Sequence, residues 1–219
     1  MLKRILFAAP KGGASKSTLC RNLAVAASVD GLRVSTADLD PQASLTIWAR
    51  RRPATAPPIK HYRVAWADAD ALLDDGEFSS ADVLMIDTPP SIEAQPAAFG
   101  SLLTAADLII VPCRPTFDDA ESVGPFLRHL KADGRPAVAV LSCVKPRVNI
   151  NSVKSYLIEA GELCPMEIAD RTDYARAGER GLGLLDVPNH PNSDEVKAVW
   201  SYVKSRVWTQ ARRKKHGAA

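Results

Sequence analysis

Apolar residues in this 219-residue chain gather in short unbroken runs, and between the runs they recur at helical spacing. Ile5-Leu6-Phe7-Ala8-Ala9, Val83-Leu84-Met85-Ile86, Leu108-Ile109-Ile110-Val111 and Ala137-Val138-Ala139-Val140-Leu141 are continuous rather than alternating. Such runs predict strands buried on both faces, as in a parallel sheet. A weaker β-like run around Leu32-Arg33-Val34 ends at Asp38-Leu39-Asp40, and shorter strands are expected at 62–65 and 166–168. Helical periodicity fills residues 19–29 and 117–131, and strands alternating with helices make βαβ units. The expectation is one α/β domain over residues 1–208, a mostly parallel twisted sheet of about seven strands flanked by helices, with a basic tail at 209–219.

Chemistry enters at the end of the first run. Pro10-Lys11-Gly12-Gly13-Ala14-Ser15-Lys16-Ser17-Thr18 joins a strand to a helix. A glycine-rich loop in that setting wraps a polyphosphate in backbone N–H groups, and the following helix turns its positive end toward the anion. Lys16 would reach the β- and γ-phosphates, and the Ser17 hydroxyl would ligate Mg²⁺. The strict G-x-x-x-x-G-K-[ST] pattern fails, because Pro10 and Ser15 occupy its two glycine positions. A second lysine, Lys11, precedes the paired glycines.

Two more elements have the order and spacing a nucleotide site needs. Asp38 and Asp40 alternate at the end of the second strand, so an extended chain points both to one face, where open α/β sheets bind ligands. Val83 to Ile86 leads into Asp87, followed by the stiff Thr88-Pro89-Pro90. A buried strand tipped by a carboxylate is what a Walker B element looks like. Asp87 would hold Mg²⁺ opposite Ser17, and the proline turn is suited to sensing a γ-phosphate.

Taken together, Lys11-Gly12-Gly13-x-x-Lys16-Ser17-Thr18, Asp38-x-Asp40-Pro41-Gln42 and Ile86-Asp87-Thr88-Pro89-Pro90 resemble the ParA/MinD family of deviant Walker ATPases over residues 1–208. The Asp-Pro-Gln element is similar to the ParA branch, in particular the short plasmid-type partition ATPases. The resemblance implies ATP and Mg²⁺ as cofactors. It implies that Lys11 crosses the interface of an ATP-bound sandwich homodimer, and that Lys16 is the phosphate-loop lysine. Gly12, Gly13, Ala14, Ser15 and Thr18 complete the nucleotide loop, with Thr18 at the α-phosphate. Ser17, Asp38 and Asp87 form or support the metal shell, and Asp40 orients the hydrolytic water. Hydrolysis in that family is slow and stimulated by a partner, so a small centromere- or cargo-binding adaptor is implied. Ser15 stands where relatives carry glycine, and Ser142-Cys143-Val144 where many carry an asparagine. The first departure is expected to tune affinity or turnover. Preference for ATP over GTP therefore rests on the resemblance alone.

Composition refines this picture. At 46% hydrophobic the chain can bury a full core, and no run of about eighteen apolar residues suggests a membrane span. The expected setting is cytoplasmic and nucleoid-associated, without stable membrane association. Cys20, Cys113, Cys143 and Cys164 are scattered, and the first three fall in apolar patterns that predict core positions. The phosphate loop begins almost at once, so a helix-turn-helix region and operator binding are not expected. Net charge is only +3, but seven of the 28 Lys+Arg and none of the 25 Asp+Glu lie in residues 196–219. That basic stripe, above all Lys204, Arg206, Arg212, Arg213, Lys214 and Lys215, reads as a contact for non-specific DNA. Arg50-Arg51-Arg52 is a second cluster. Val196, Val199, Trp200, Val203, Val207 and Trp208 recur at helical spacing, more simply a core-facing stripe than an interfacial membrane helix. A MinD-like membrane-cycling ATPase, an accessory factor in conjugative DNA processing and a metabolic enzyme of dethiobiotin synthetase type are the alternatives.

Overall fold

The computed structural model describes the backbone of every residue except 75, 91–95 and 217–219, and the side chains of those residues other than 96 and 209–216. Six strands, β1 (Lys3–Phe7), β2 (Val34–Asp38), β3 (Ile59–Arg63), β4 (Val83–Asp87), β5 (Leu108–Cys113) and β6 (Ala137–Leu141), form one sheet in the order β3-β2-β4-β1-β5-β6. All pairings are parallel. The continuous runs become strands buried on both faces, as expected.

Two expectations are corrected. The sheet among the described residues has six strands rather than about seven. Residues 166–168 form no strand: the isolated bridges beside β6 fall at Leu163 and Ala169, and between them the Ile168 N–H donates to the Leu141 carbonyl at 2.9 Å. The strand expected at 62–65 is β3, which begins earlier, at Ile59.

Seven α-helices cover the faces: α1 (Lys16–Val29), α2 (Ser44–Arg51), α3 (Pro96–Ala105), α4 (Phe117–Ala132), α5 (Asn151–Ala160), α6 (Thr172–Glu179) and α7 (Ser193–His216). One core joins α1, α2, α6 and α7 to the sheet, and the other joins α3, α4, α5 and a 3-10 helix, Trp66–Leu73. Val196, Val199, Trp200, Val203 and Val207 are buried in the first core and Trp208 packs partly buried against it, so over the described side chains the apolar stripe of α7 faces the core. Each such valine contributes roughly 1.5–3 kcal/mol relative to exposure. The α7 backbone remains helical across position 208 to His216. No helix among the described residues is long and apolar enough to cross a membrane.

Ion pairs stitch the amino ends of the central strands. Lys3 Nζ meets Asp107 Oδ1 at 2.7 Å, and the Arg4 N–H donates to Asp107 Oδ2. Arg33 pairs with Asp82 at 2.7 Å. A buried pair, Arg52 with Asp186 at 2.8 Å, joins the end of α2 to the 3-10 turn Leu184–Asp186, where the Trp48 Nε1–H also donates to the Leu182 carbonyl.

Candidate nucleotide site

The carboxyl ends of β1, β2 and β4 converge on one rim. Asp38 and Asp87 are paired positions on adjacent strands, and Phe7 at the end of β1 pairs with Asp87. The loop after β1 turns into α1 through two left-handed residues, Gly13 (φ 73) and Ser15 (φ 69). That conformation favours glycine, which is why a serine at position 15 is a departure with a physical cost. Ser15 is the N-cap of α1 yet makes no side-chain cap bond, so the first-turn N–H groups face the loop.

Lys16 is buried, and desolvation pushes its ammonium below the ordinary lysine range against the pull of Asp87 and Asp40. Asp87 is wholly buried, and burial raises its carboxyl to about 7 although the Ser17 hydroxyl and Lys16 oppose the shift. Neither Asp87 oxygen has a hydrogen-bond partner of ordinary geometry. A buried carboxylate left bare beside a hydroxyl and an ammonium fits a divalent cation, which would supply the missing charge and ligation.

Asp38 is occupied by its own chain. Oδ1 accepts from the Asp40 N–H at 3.0 Å and lies 3.3 Å from Arg63. Oδ2 accepts from both the N–H and the hydroxyl of Thr46, each at 2.8 Å. It thus shapes the turn that carries Asp40. Asp40 in turn accepts the Gln42 N–H through Oδ1 at 2.9 Å.

The two loop lysines differ sharply. Lys11 is exposed, and its ammonium donates outward to the Asp118 carbonyl in the first turn of α4 at 3.0 Å. The Arg114 guanidinium lies by Gly13, where a Cβ would sit 3.8 Å from one of its nitrogens. Arg114 adds a cation at the phosphate loop that spacing alone could not assign. Gly12 lies beside Pro90, so the loop and the proline turn after Asp87 are in reach of one another. Thr88 holds that turn by donating its hydroxyl to the Phe7 carbonyl at 2.9 Å.

Beside the loop, Thr18, Ser142, Cys143, Asp170 and Tyr174 line a cavity of about 180 Å³ with room to receive part of a base or ribose. Ser142 and Cys143 hold the loop from that side: the Ser142 hydroxyl reaches the Ala14 carbonyl at 3.4 Å, and Ser15 Oγ meets Cys143 Sγ at 3.3 Å. Cys20 and Cys113 are core residues as expected, but Cys143 is only half-buried and lines this cavity, because its left-handed backbone (φ 57) turns it out of the apolar pattern.

Of the expected DNA-contacting residues, Lys204 is tied to Asp30 at 2.6 Å and Arg206 is paired with Glu162. The side chains of Arg212, Arg213, Lys214 and Lys215 lie outside the described residues. By contrast, Arg50, Arg51, Arg176 and Arg180 are exposed and make no ion pair among the described residues. Arg50 and Arg51 end α2, Arg176 and Arg180 lie in and just after α6, and the two helices adjoin, with Gly181 packed directly on the Arg51–Arg52 backbone.

Residues 5–185 match the family model of the CobQ/CobB/MinD/ParA nucleotide binding domain. The maintenance of carboxysome distribution protein A of Gloeobacter kilaueensis is 31% identical over 139 residues, 63% of this chain and 61% of that protein. The match thus spans less than two thirds of that relative. Protein ParA of Rhizobium radiobacter is 27% identical over 192 residues, 82% of this chain and 84% of its own. The fold is shared with the septum site-determining protein MinD of Pyrococcus horikoshii, solved with Mg-ADP, at a TM-score of 0.75 and 15% identity, over 93% of this chain and 96% of that one.

Proposed function

This chain belongs to the CobQ/CobB/MinD/ParA nucleotide-binding family, and on that premise we propose that it is an ATP-hydrolysing switch of the ParA kind. In this reading ATP closes two copies into a sandwich dimer that binds DNA without sequence preference. A small adaptor protein stimulates hydrolysis and releases it, and the cycle segregates DNA or positions a cargo. The carrying observation is the opposite setting of the two loop lysines. Lys16 is buried among carboxylates within its own site, whereas Lys11 stands exposed with its ammonium on the Asp118 carbonyl of α4. An ammonium so placed is available to a phosphate chain held by a second copy.

Within one site, Lys16 and the N–H groups of Gly12 to Thr18 would bind the phosphates, with Arg114 at the loop's edge. Ser17 and Asp87 would hold Mg²⁺, with Asp38 bracing the turn behind them. When bound, the ion neutralises charge on the β- and γ-oxygens. Asp40, at the tip of that turn, would orient the attacking water and take part of its developing charge. The unpaired arginines at the α2–α6 junction support the DNA reading, alongside the basic end of α7.

The test is binding to a non-specific duplex with ATP, with ADP and without nucleotide, at two salt concentrations. Binding that requires ATP and falls steeply with salt is expected. Nucleotide-independent or absent binding would overturn the reading in favour of a membrane-cycling or DNA-processing role.

A further inference from the structure

On the edge strand β3, His61 and Arg63 both reach the turn that carries Asp40. Thr46 has one hydroxyl hydrogen, and it donates to Asp38 Oδ2 at 2.8 Å. His61 Nε2 lies 3.0 Å from the same hydroxyl oxygen and must therefore be the donor. In a neutral ring Nδ1 is then the acceptor, and the Thr36 hydroxyl stands 3.0 Å from it, nearer than its other acceptor, the Lys60 carbonyl at 3.4 Å. One directed chain results: Thr36 to His61, His61 to Thr46, Thr46 to Asp38, with Asp38 accepting the Asp40 N–H. Arg63 closes the turn from outside. Its guanidinium donates to the carbonyls of Asp38 and Asp40 and lies beside Asp38 Oδ1.

We infer that His61 and Arg63 are positioning residues for Asp40: His61 fixes the Asp38 carboxylate through Thr46, and Arg63 clamps the Asp38–Asp40 backbone. The inference rests on the hydrolytic reading of Asp40 above. A chain of directed hydrogen bonds holds its members in one arrangement, and a water-orienting carboxylate loses rate when displaced by even an ångström. The hydrogen bonds of both residues run to β2, the turn after it and the first turn of α2 rather than to the phosphate loop, so their removal should leave nucleotide binding alone.

The experiment compares steady-state ATP hydrolysis and Mg-ADP affinity in the full-length wild type, His61→Ala, Thr46→Val, Thr46→Ser and Arg63→Ala. The expected result is a fall in kcat of about five- to fiftyfold for the first, second and fourth, with KM and Mg-ADP affinity within about twofold. Thr46→Ser keeps the hydroxyl and should restore most of the rate. Adding His61→Ala to Asp40→Asn should cost nothing further. Hydrolysis unchanged in His61→Ala and Thr46→Val overturns this inference alone, as does affinity falling in step with kcat. A wild type that binds Mg-ATP and never turns it over overturns the hydrolytic reading, and this role with it. Should Arg63→Ala fail to fold, the Thr46 pair still decides between these outcomes.

Discussion

Ser15 and Cys143 meet hydroxyl to thiol at 3.3 Å, and each holds a left-handed backbone (φ 69 and φ 57). Two residues of strained conformation thus brace the phosphate loop against the loop after β6. Ser15→Gly removes both the strain and the brace, effects of about 1 kcal/mol that oppose one another. The expected protein is folded, within about 1 kcal/mol of wild-type stability, with altered nucleotide affinity or turnover. Ser15→Val, β-branched at positive φ, should destabilise and lose nucleotide binding. Titration with a fluorescent nucleotide and urea unfolding would check both, and unchanged affinity and rate in Ser15→Gly would show that the brace is idle.

Lys11 and Lys16 should separate in function. Lys16→Ala is expected to lose nucleotide binding in the monomer by about a hundredfold or more, since a buried ammonium on phosphate has no substitute. Lys11→Ala should bind nucleotide within about threefold of wild type yet fail to dimerise with ATP. Calorimetry read against light scattering distinguishes the two.

Asp87 carries a pH signature. Its folded carboxyl is raised to about 7 from 3.8 by burial, so the stabilisation belongs to the protonated form. It is fully present below pH 3.8 and lost as pH rises through about 7. At pH 8 the uncharged isostere Asp87→Asn should therefore melt higher than wild type, by roughly 2–4 kcal/mol without nucleotide. Adding Mg-ADP should reverse the ranking, because only the carboxylate holds the ion.

Breaking the Arg52–Asp186 pair leaves a buried charge alone. Asp186→Ala should cost about 3–5 kcal/mol in urea unfolding, with kcat per folded molecule unchanged.

The DNA reading can be divided between its two surfaces. Arg51→Ala combined with Arg180→Ala should lower the salt slope of DNA binding by about 0.9 for each phosphate no longer neutralised. Lys204→Ala, already paired with Asp30, should leave that slope alone and cost at most about 1 kcal/mol of stability.

How much of the fold and site could be read from the chain alone depended on whether the signal was local. The four buried strands announced themselves because a parallel sheet needs apolar residues on both faces. The helix over 117–131 likewise kept its period and became α4. The strand β3 was harder, since Lys60, His61 and Arg63 sit on a half-exposed edge and break any apolar run. Residues 166–168 lie along the end of β6, but the bridges there are isolated ones at Leu163 and Ala169, so no ladder forms. The Gly-Gly-x-x-Lys loop and the carboxylates at 38, 40 and 87 were set by order along the chain. Their states were not: Asp38 is consumed by Thr46 and Arg63, while Asp87 stays bare. The pairing of Lys204 with Asp30 joins positions 174 apart, and no window of sequence contains both. Arg114, His61 and Arg63 went unseen for the same reason.

The ion pairs of Lys3 with Asp107 and Arg33 with Asp82 staple the sheet at its amino ends, while the carboxyl ends carry the bare Asp87 and the strained loops. Local opening should therefore be graded along every strand. Without nucleotide, amide hydrogens near Phe7, Asp38 and Asp87 should exchange with solvent sooner than those near Lys3, Val34 and Val83. Ligand binding would level that gradient from one pole, which makes the protein most pliable where a partner could read whether nucleotide is present.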